Sequence, residues 1–468
     1  MSATEEASVS PSSAAPQPVG DGSPGRLKRD AALAVATGFA IQSVLVVTGP
    51  LLARMLGPSG RGYLAALILW PLVITQLGNL GIPSALTYSV ARDPSSSRGL
   101  ARLGLSFALP QALLLTALQG LWLLLILRGD PAEVRTAGWL TLALVPAMLA
   151  QQYGLGLLQG HLRLRLFNGL RLMPWLLYAV GVATLFVAGD DAIVPIVGAL
   201  LVAFWASGST ALISGIRCSR GEARPSVGRR FLASFGLRGL LSSFSAVDVL
   251  RPDQVVLALF LSPSALGLYV VGLAFTNLPY FIAKSVGLIT FPWVASRREK
   301  ADARRTMWSL LWLTTGIAVL IVAVMCAAAQ WLVPFFFGSQ FSAAVTVTYI
   351  VLPGTIFLSA RRVLSEGLKG RGYPLAGTVG ELFSLAWIAI ALAVFVPVWG
   401  IYGAAVALTS SYVVSMLLLV VIAGRHGELE SASRSLRSLP RDLIGAVRAS
   451  TRAPDVALQE NDGPARAS

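Results

Sequence analysis

Almost the whole chain is divided into apolar segments, each long enough to cross a lipid bilayer as a helix. Crossing the hydrocarbon core takes roughly 20 residues, and in lipid the backbone amides must be satisfied within the helix itself. Only 13% of the residues are charged, against roughly 25% in soluble domains. The fold class predicted is therefore an all-α multi-pass membrane protein with about twelve crossings. The apolar segments are 31–53, 63–90, 103–127, 137–159, 166–188, 192–216, 232–260, 266–293, 306–328, 344–364, 374–397 and 400–423.

The basic residues predict how these segments are oriented. If the N-terminus is cytoplasmic, 31 of the 37 Lys and Arg residues lie in or next to cytoplasmic connections. Four fall in connections on the other side, namely Arg54, Arg61, Arg128 and Arg135, and Arg251 and Lys284 fall within segments. Because cytoplasmic loops carry an excess of Lys and Arg, both termini are expected in the cytoplasm and the protein in the cell membrane.

Two stretches 205 positions apart are nearly the same. Residues 52–62 read LARMLGPSGRG and residues 257–267 read LALFLSPSALG, so Leu, Ala, Leu, Pro, Ser and Gly match in register. A duplicated half in a very apolar chain is typical of transporters built from two bundles around a central path. The predicted organisation is a disordered N-tail (1–30), a first six-helix bundle (31–217), a basic linker (218–231), a second six-helix bundle (232–423) and a cytoplasmic tail (424–468) that is partly disordered.

The formal charge of +15 does not indicate a nucleic-acid protein, because the basic residues lie in short clusters between apolar segments rather than along one face. Cys218, Cys326, His161 and His426 have no metal-ligand spacing. No phosphate-binding loop or nucleophile elbow is visible. We therefore predict no catalytic residues, no metal and no cofactor.

The seventh segment carries the densest set of charges, Asp248, Arg251 and Asp253. Each charge in an apolar core costs roughly 2.5–3.5 kcal/mol on insertion scales, so the charges that remain usually face a cavity or a partner. Asp248 and Arg251 are three residues apart, which predicts a shared helix face. Pro252 is expected to kink or break the helix. Arg251 is thus a candidate for substrate binding and the two aspartates for ion coupling; the alternative is a purely structural ion pair.

Four further polar residues lie within apolar segments. Lys284 and the amides Gln76 and Asn79 are predicted to bind substrate, and Glu381 is a candidate coupling carboxylate. Polar side chains at helix interfaces also serve as packing contacts, and this remains the alternative for the two amides. Glu381 can equally be an interfacial acid.

Several motifs occur in a familiar order. Residues 51–62, 77–83 (LGNLGIP) and 89–92 (SVAR) resemble the amino-terminal signature of the polysaccharide flippase family, the Wzx-type members of the multidrug/oligosaccharidyl-lipid/polysaccharide exporter superfamily. Residues 251–254 (RPDQ) with 261–269 (LSPSALGLY), residues 291–295 (FPWVA) and residues 337–341 (FGSQF) resemble second-half motifs of that family. Pro252 departs from the small or apolar residue expected at its position.

The resemblance implies two six-helix bundles that form a V and work by alternating access. It also implies a substrate, undecaprenyl-diphosphate-linked oligosaccharide, that is moved from the inner to the outer leaflet for cell-surface polysaccharide biosynthesis. Membrane lipids, and a polysaccharide polymerase, are the partners it suggests. Arg251 and Lys284 would then pair with the diphosphate.

Other functions stay open from the sequence. A drug/cation antiporter of the same superfamily would share the fold. A major-facilitator transporter also has six plus six segments, but residues 91–98 match its expected loop signature poorly. A membrane polymerase or ligase would need a long outer loop with catalytic residues, and the outer loops here are short. A non-transporting scaffold is a further alternative.

Overall fold

A computed structural model describes residues 24–243, 246–297, 299–373 and 375–431, and within these ranges it contains helices and short connections without a strand. The N-tail before residue 24 and the predicted tail after residue 431 lie outside the described residues. The helices are α1 (Pro24–Gly78), α2 (Ile82–Arg92), α3 (Ser97–Ile126), α4 (Ala132–Leu140), α5 (Leu144–Gly160), α6 (Leu164–Ala188), α7 (Ile193–Cys218), α8 (Arg229–Ser243), α9 (Ala246–Leu250), α10 (Pro252–Phe260), α11 (Pro263–Gly272), α12 (Asn277–Ala295), α13 (Lys300–Phe337), α14 (Ala344–Gly370) and α15 (Ala376–Arg425).

Eight helical stretches of the described chain are long and apolar enough to cross a membrane. Two of them, α1 and α15, are each two crossings joined at a kink. The segments α8–α10 and α11–α12 supply two more crossings in shorter pieces. Over the described residues these helices make up two halves of six crossings each, which agrees with the predicted fold class. We call the end of the bundle where α1 begins and α15 ends the terminal side, and the opposite end the far side.

Glycines with positive φ make the tightest reversals. Gly57 (φ 64°, ψ −177°) divides α1 into two limbs, and Gly400 (φ 55°, ψ −126°) divides α15. Only glycine adopts these dihedrals without strain. The first kink replaces the outer loop predicted at residues 54–62. The placement of Arg54 and Arg61 in a loop is therefore wrong: both lie on helical limbs of α1.

Two crossings are interrupted along their length. The second is broken between α1 and α2, where Leu80 (φ 51°) and Gly81 (φ 68°) are left-handed. The seventh is broken at Arg251 (φ 45°, ψ 56°), directly before Pro252. The predicted break at Pro252 is confirmed. The prediction that Asp248 and Arg251 share a helix face is wrong, because α9 ends at Leu250 and Arg251 lies outside it.

The two copies of the repeat pack against each other at the far side. A Cβ atom on Gly62 would lie 1.6 Å from the carbonyl oxygen of Pro263, and one on Gly267 would lie 2.0 Å from that of Pro58. The second limb of α1 and α11 therefore cross backbone to backbone through equivalent glycines. The repeat that marks the two halves in the sequence also forms a contact between them.

Further contacts join the halves beside this crossing. Arg54 donates from Nε to the carbonyl oxygen of Phe336 at 3.0 Å and from Nη2 to that of Phe335. Both acceptors are orphan carbonyls in the last turn of α13. Ala53 is fully buried in an apolar cluster whose other buried members belong to the second half, among them Phe341. The two halves are thus in close contact at the far side.

At the terminal side, α8 packs on the first half although it follows the linker in sequence. Leu232 is buried in the cluster formed by α2, α3 and α5. Phe235 stacks on Tyr88 of α2 with ring centroids 4.5 Å apart. The linker itself is fastened to the start of α3, where Gly99 N donates to Glu222 O at 3.0 Å and Glu222 N to Ser95 O at 2.8 Å.

Candidate functional site

The break in the seventh crossing positions Arg251. Proline disfavours the helical conformation in the residue before it and has no amide hydrogen to donate, so the chain leaves the helix at Arg251 and re-enters it at α10. Arg251 is the N-cap residue of α10, and its side chain is exposed. Its Nη1 lies 3.5 Å from Oε1 of Gln254, at the limit of a hydrogen bond. At 1.5 Å rise per residue, Arg251 is about 15 Å from the far-side end of this crossing, near the middle of the membrane.

A second arginine reaches the same region from the first half. Arg61 lies on the second limb of α1, and its side chain is half-buried. It interacts electrostatically with Arg251 and with Tyr178 of α6. Within the described chain, the Nε atom of Arg61 and the hydroxyl of Tyr178 are buried without a hydrogen-bond partner. One arginine from each half therefore lies in this region, and the first half adds two unused polar groups, on Arg61 and Tyr178.

The carboxylate nearest to this pair in sequence is held differently. Asp253 is 3% exposed, and its Oδ2 accepts a hydrogen bond of 2.7 Å from the hydroxyl of Tyr269, which is fully buried. It also interacts with Arg251. This aspartate is therefore bonded to a neutral donor in the core of the second half, on the first turn of α10.

The predicted amides Gln76 and Asn79 are brought together with a third amide in the first half. Asn79 Nδ2 donates to Gln152 Oε1 at 2.7 Å, and Gln152 Nε2 lies 3.5 Å from Gln76 Oε1. Asn79 Oδ1 accepts from the amide of Gly81 at 2.7 Å, which caps the break in the second crossing. Asn79 is buried, whereas Gln76 and Gln152 are half-buried. Asn79 thus stabilises the break through its hydrogen bond with Gly81 and also bonds to Gln152.

The remaining predicted residues lie apart from the arginine pair. Lys284 is exposed in α12, one turn after Phe281, whose ring is 6.1 Å from that of Phe39 in α1. Lys284 is therefore on the face of α12 that turns toward the first half. Glu381 forms a buried ion pair with Arg361 of α14. The side chain of Asp248 lies outside the described part of the structure.

The sequence did not identify three residues of this region as site candidates, namely Arg61, Tyr178 and Gln152. For Arg61 a signal existed: the repeat aligns it with Leu266, so the first copy carries a charge where the second carries an apolar residue. Tyr178 and Gln152 have no comparable signal, because a lone tyrosine or amide in an apolar helix is usually a packing residue.

Comparison with known proteins decides the family. The family model described as "Polysaccharide biosynthesis protein" matches residues 27–297, more than half of the chain. The chain belongs to this family. The match confirms the resemblance to flippases of the exporter superfamily drawn from the motifs. No curated protein matches the sequence.

Solved structures match the fold over most of the chain. "Lipid II flippase MurJ, inward closed conformation" aligns with a TM-score of 0.67 at 14% identity, covering 88% of this chain and 93% of that one. An inward-facing MATE family multidrug resistance transporter of the MOP superfamily aligns with a TM-score of 0.65 at 14% identity, covering 87% and 99%. A MOP superfamily transporter from Pyrococcus furiosus aligns at 0.59 and 13% identity, covering 88% and 97%. At such identities the likeness establishes the transporter fold alone.

Proposed function

We propose that this member of the polysaccharide biosynthesis family is a flippase for a lipid-linked saccharide joined through a diphosphate. The observation that carries the proposal is the pair Arg61 and Arg251, one from each half, placed in the membrane with unused donors. Guanidinium groups bind phosphate oxygens in pairs of parallel hydrogen bonds. Two like charges inside a membrane-crossing bundle are costly unless an anion accompanies them. A diphosphate supplies the missing charge.

The origin of the two arginines supports alternating access. An anion bound to both guanidiniums stabilises the arrangement in which the halves hold them together. A ligand shifts a conformational equilibrium only through such differential contacts. When the halves separate at the far side, Arg61 and Arg251 move apart and the anion is released there. The lipid tail can remain in the bilayer throughout.

The other candidate residues have secondary roles in this proposal. Lys284 faces the first half on the terminal-side part of the eighth crossing and would meet the diphosphate on its way to the arginine pair. Gln76 and Gln152 offer amide groups to saccharide hydroxyls. Asp253, which accepts a hydrogen bond from the neutral Tyr269 and interacts with Arg251, suits ion coupling better than Glu381, which Arg361 already neutralises.

The direction of movement follows from the orientation. The excess of Lys and Arg on the terminal side favours a cytoplasmic location for that side and for both termini. The saccharide-lipid would therefore be taken from the cytoplasmic leaflet of the cell membrane and released in the outer leaflet. Undecaprenyl-diphosphate oligosaccharide is the substrate that the family resemblance suggests.

A drug/cation antiporter is the second candidate, because solved multidrug transporters share the fold. The arginine pair opposes it, since two guanidinium groups repel an organic cation. A polymerase or ligase would change the substrate covalently, and a scaffold would leave it in place. All of these are distinguished by one reconstitution.

The experiment uses the full chain in proteoliposomes with a fluorescent polyprenyl-diphosphate saccharide in both leaflets and a membrane-impermeant quencher outside. The wild type should expose probe from the protected leaflet without chemical change. Replacing Arg61 or Arg251 by Ala removes charge-assisted bonds of about 1.5–3 kcal/mol each, so flipping should fall at least about tenfold. Arg128→Ala is the matched control, because Arg128 is exposed at the far side.

Two results would contradict the proposal. Flipping by Arg61→Ala, Arg251→Ala and the double variant at the wild-type rate would show that the pair does not bind substrate. Proton-driven uptake of an organic cation without flipping of the saccharide-lipid would favour the antiporter.

A further inference from the structure

The lipid-facing side of α6 carries a groove that the transport path does not use. It measures 380 Å³ and is lined by one face of the helix, including Arg165, Leu166, Gly169, Met173, Leu176 and Leu177. Spacings of three, four and seven residues place these side chains in one stripe. Leu166, Leu176 and Leu177 are 41%, 45% and 39% exposed. Exposed leucines on a membrane-crossing helix face lipid.

Gly169 gives the groove its depth. A Cβ atom at this position would meet nothing within 4 Å, so the backbone is open to the membrane here. The floor is formed by Leu170 and Met173, which pack with Leu158 and Ala211 of the neighbouring helices. The groove therefore has a solid base and an open side.

Two arginines place positive charge at the terminal-side end of the groove. Arg165 is the second residue of α6 and is exposed, and Arg163 directly before the helix is exposed too. Neither guanidinium forms an ion pair with any residue that the structure describes. From Arg165 to Leu177 the groove runs about 18 Å along the helix. One leaflet of a bilayer is about 15 Å of hydrocarbon, so the groove extends from headgroup level to the middle of the membrane.

We propose that this groove binds one anionic phospholipid of the terminal-side leaflet. The headgroup phosphate pairs with Arg165 and Arg163, and one acyl chain lies over Gly169 between the exposed leucines. An acyl chain fills an apolar channel of this length, and the guanidiniums supply the complementary charge. The site is on the outer surface of the first half, remote in sequence from the arginine pair on α1 and α10, and is independent of the transported substrate.

Native mass spectrometry of the detergent-purified full chain tests the site. Dioleoyl phosphatidylglycerol is titrated against dioleoyl phosphatidylcholine with the same chains. A surface arginine contributes about 1 kcal/mol toward anionic lipid, so Arg165→Ala should weaken phosphatidylglycerol binding about fivefold. Gly169→Phe should abolish the tightest bound lipid by filling the groove. Gly316→Phe is the matched control, since Gly316 also has open space around it and lies in α13, outside the groove.

The outcomes are distinct. Loss of the bound lipid in Arg165→Ala and Gly169→Phe, with Gly316→Phe unchanged and inorganic phosphate in excess unable to displace it, supports the proposal. Equal binding of both lipids by the wild type, or unchanged lipid binding in the two variants, overturns it. Displacement by inorganic phosphate overturns it as well, because the acyl groove would then contribute nothing. If Gly169→Phe dissociates a dimer while the lipid stays bound, the groove binds a second copy of the chain, and the lipid proposal is overturned. Thermal unfolding of each variant confirms that it is folded.

Discussion

The glycine crossing at the far side allows a sharp prediction about the conformational equilibrium. A methyl group on Gly62 would lie 1.6 Å from the carbonyl oxygen of Pro263, whereas ordinary van der Waals contact begins at 3.4 Å. The two helices would have to separate by about 1.8 Å. The obstacle is backbone, which cannot rotate away as a flexible side chain can. A gap of even 0.5–1 Å loses roughly a quarter to a half of the dispersion attraction, so the crossing should not survive.

The magnitude follows from overpacking. Extra methyl groups in a well-packed contact cost about 1–3 kcal/mol, which corresponds to a shift of about 5- to 150-fold in a two-state equilibrium. Because the penalty applies only while the halves touch at the far side, Gly62→Ala should favour the state in which they are apart. Gly267→Ala should act in the same direction, since it meets the carbonyl oxygen of Pro58 at 2.0 Å.

Cysteine labelling measures the shift. Cys218 and Cys326 are replaced by Ser, and Ala53, fully buried between the halves, becomes the reporter as Ala53→Cys. A membrane-impermeant thiol reagent is then added from the far side. The cysteine of Ala53→Cys should be labelled more than about fivefold faster when Gly62→Ala is also present than when Gly62 is kept. The double variant Gly62→Ala/Gly267→Ala should be far less than additive, because both residues act at one contact.

The control is Gly198→Ala in α7, where a Cβ atom meets nothing within 4 Å. It should leave labelling unchanged. If Gly62→Ala and Gly267→Ala also leave labelling unchanged, the backbone crossing does not hold the far side together, and the reasoning is refuted.

Three further changes test contacts at the two ends of the bundle. Arg54→Ala removes two hydrogen bonds to the end of α13 and should accelerate the same far-side labelling, more weakly than the glycine variants because Arg54 is exposed. Glu428→Gln leaves Arg371 without the carboxylate that it now binds at 2.8 Å. The free energy of unfolding should fall by about 1.5–3 kcal/mol, which lowers the Tm, and adding Arg371→Gln to this variant should not lower the Tm further. Burial, followed by Arg163, lowers the pKa of His161 from 6.5. The folded protein therefore binds fewer protons than the unfolded chain, and its stability is full above pH 6.5 and falls as the pH drops through the lower folded pKa. His161→Gln should flatten the decline in Tm between pH 7 and pH 5, and an unchanged decline would show that another group titrates.

Much of the fold could be predicted from the sequence because lipid leaves the backbone few choices. Apolar length and the distribution of Lys and Arg define the crossings, and the repeat indicates two halves. The loop predicted at residues 54–62 was wrong because a single glycine with positive φ, Gly57, joins two helical limbs directly and no longer loop is needed. Such kinks depend on dihedrals that apolar periodicity does not report.

The candidate site was predicted less completely. Arg251 and the break at Pro252 follow from the cost of charge in lipid and from proline geometry. The partnership of Arg251 with Arg61 depends on the packing of two distant helices, and nothing in the local pattern of either arginine reports it. Glu381 shows the opposite case: its charge is conspicuous in the sequence, yet Arg361 from the preceding helix neutralises it.

The packing of α8 has a mechanical consequence. By sequence α8 opens the seventh crossing, but it is anchored to α2 through Leu232 and Phe235. The later part of that crossing, α10, belongs to the core of the second half through Leu257. Val247 of α9 is buried in the same core as Leu257, so Arg251 lies in the part of this crossing that belongs to the second half. A rotation of one half against the other would therefore carry Arg251 with the second half, relative to Arg61 in the first.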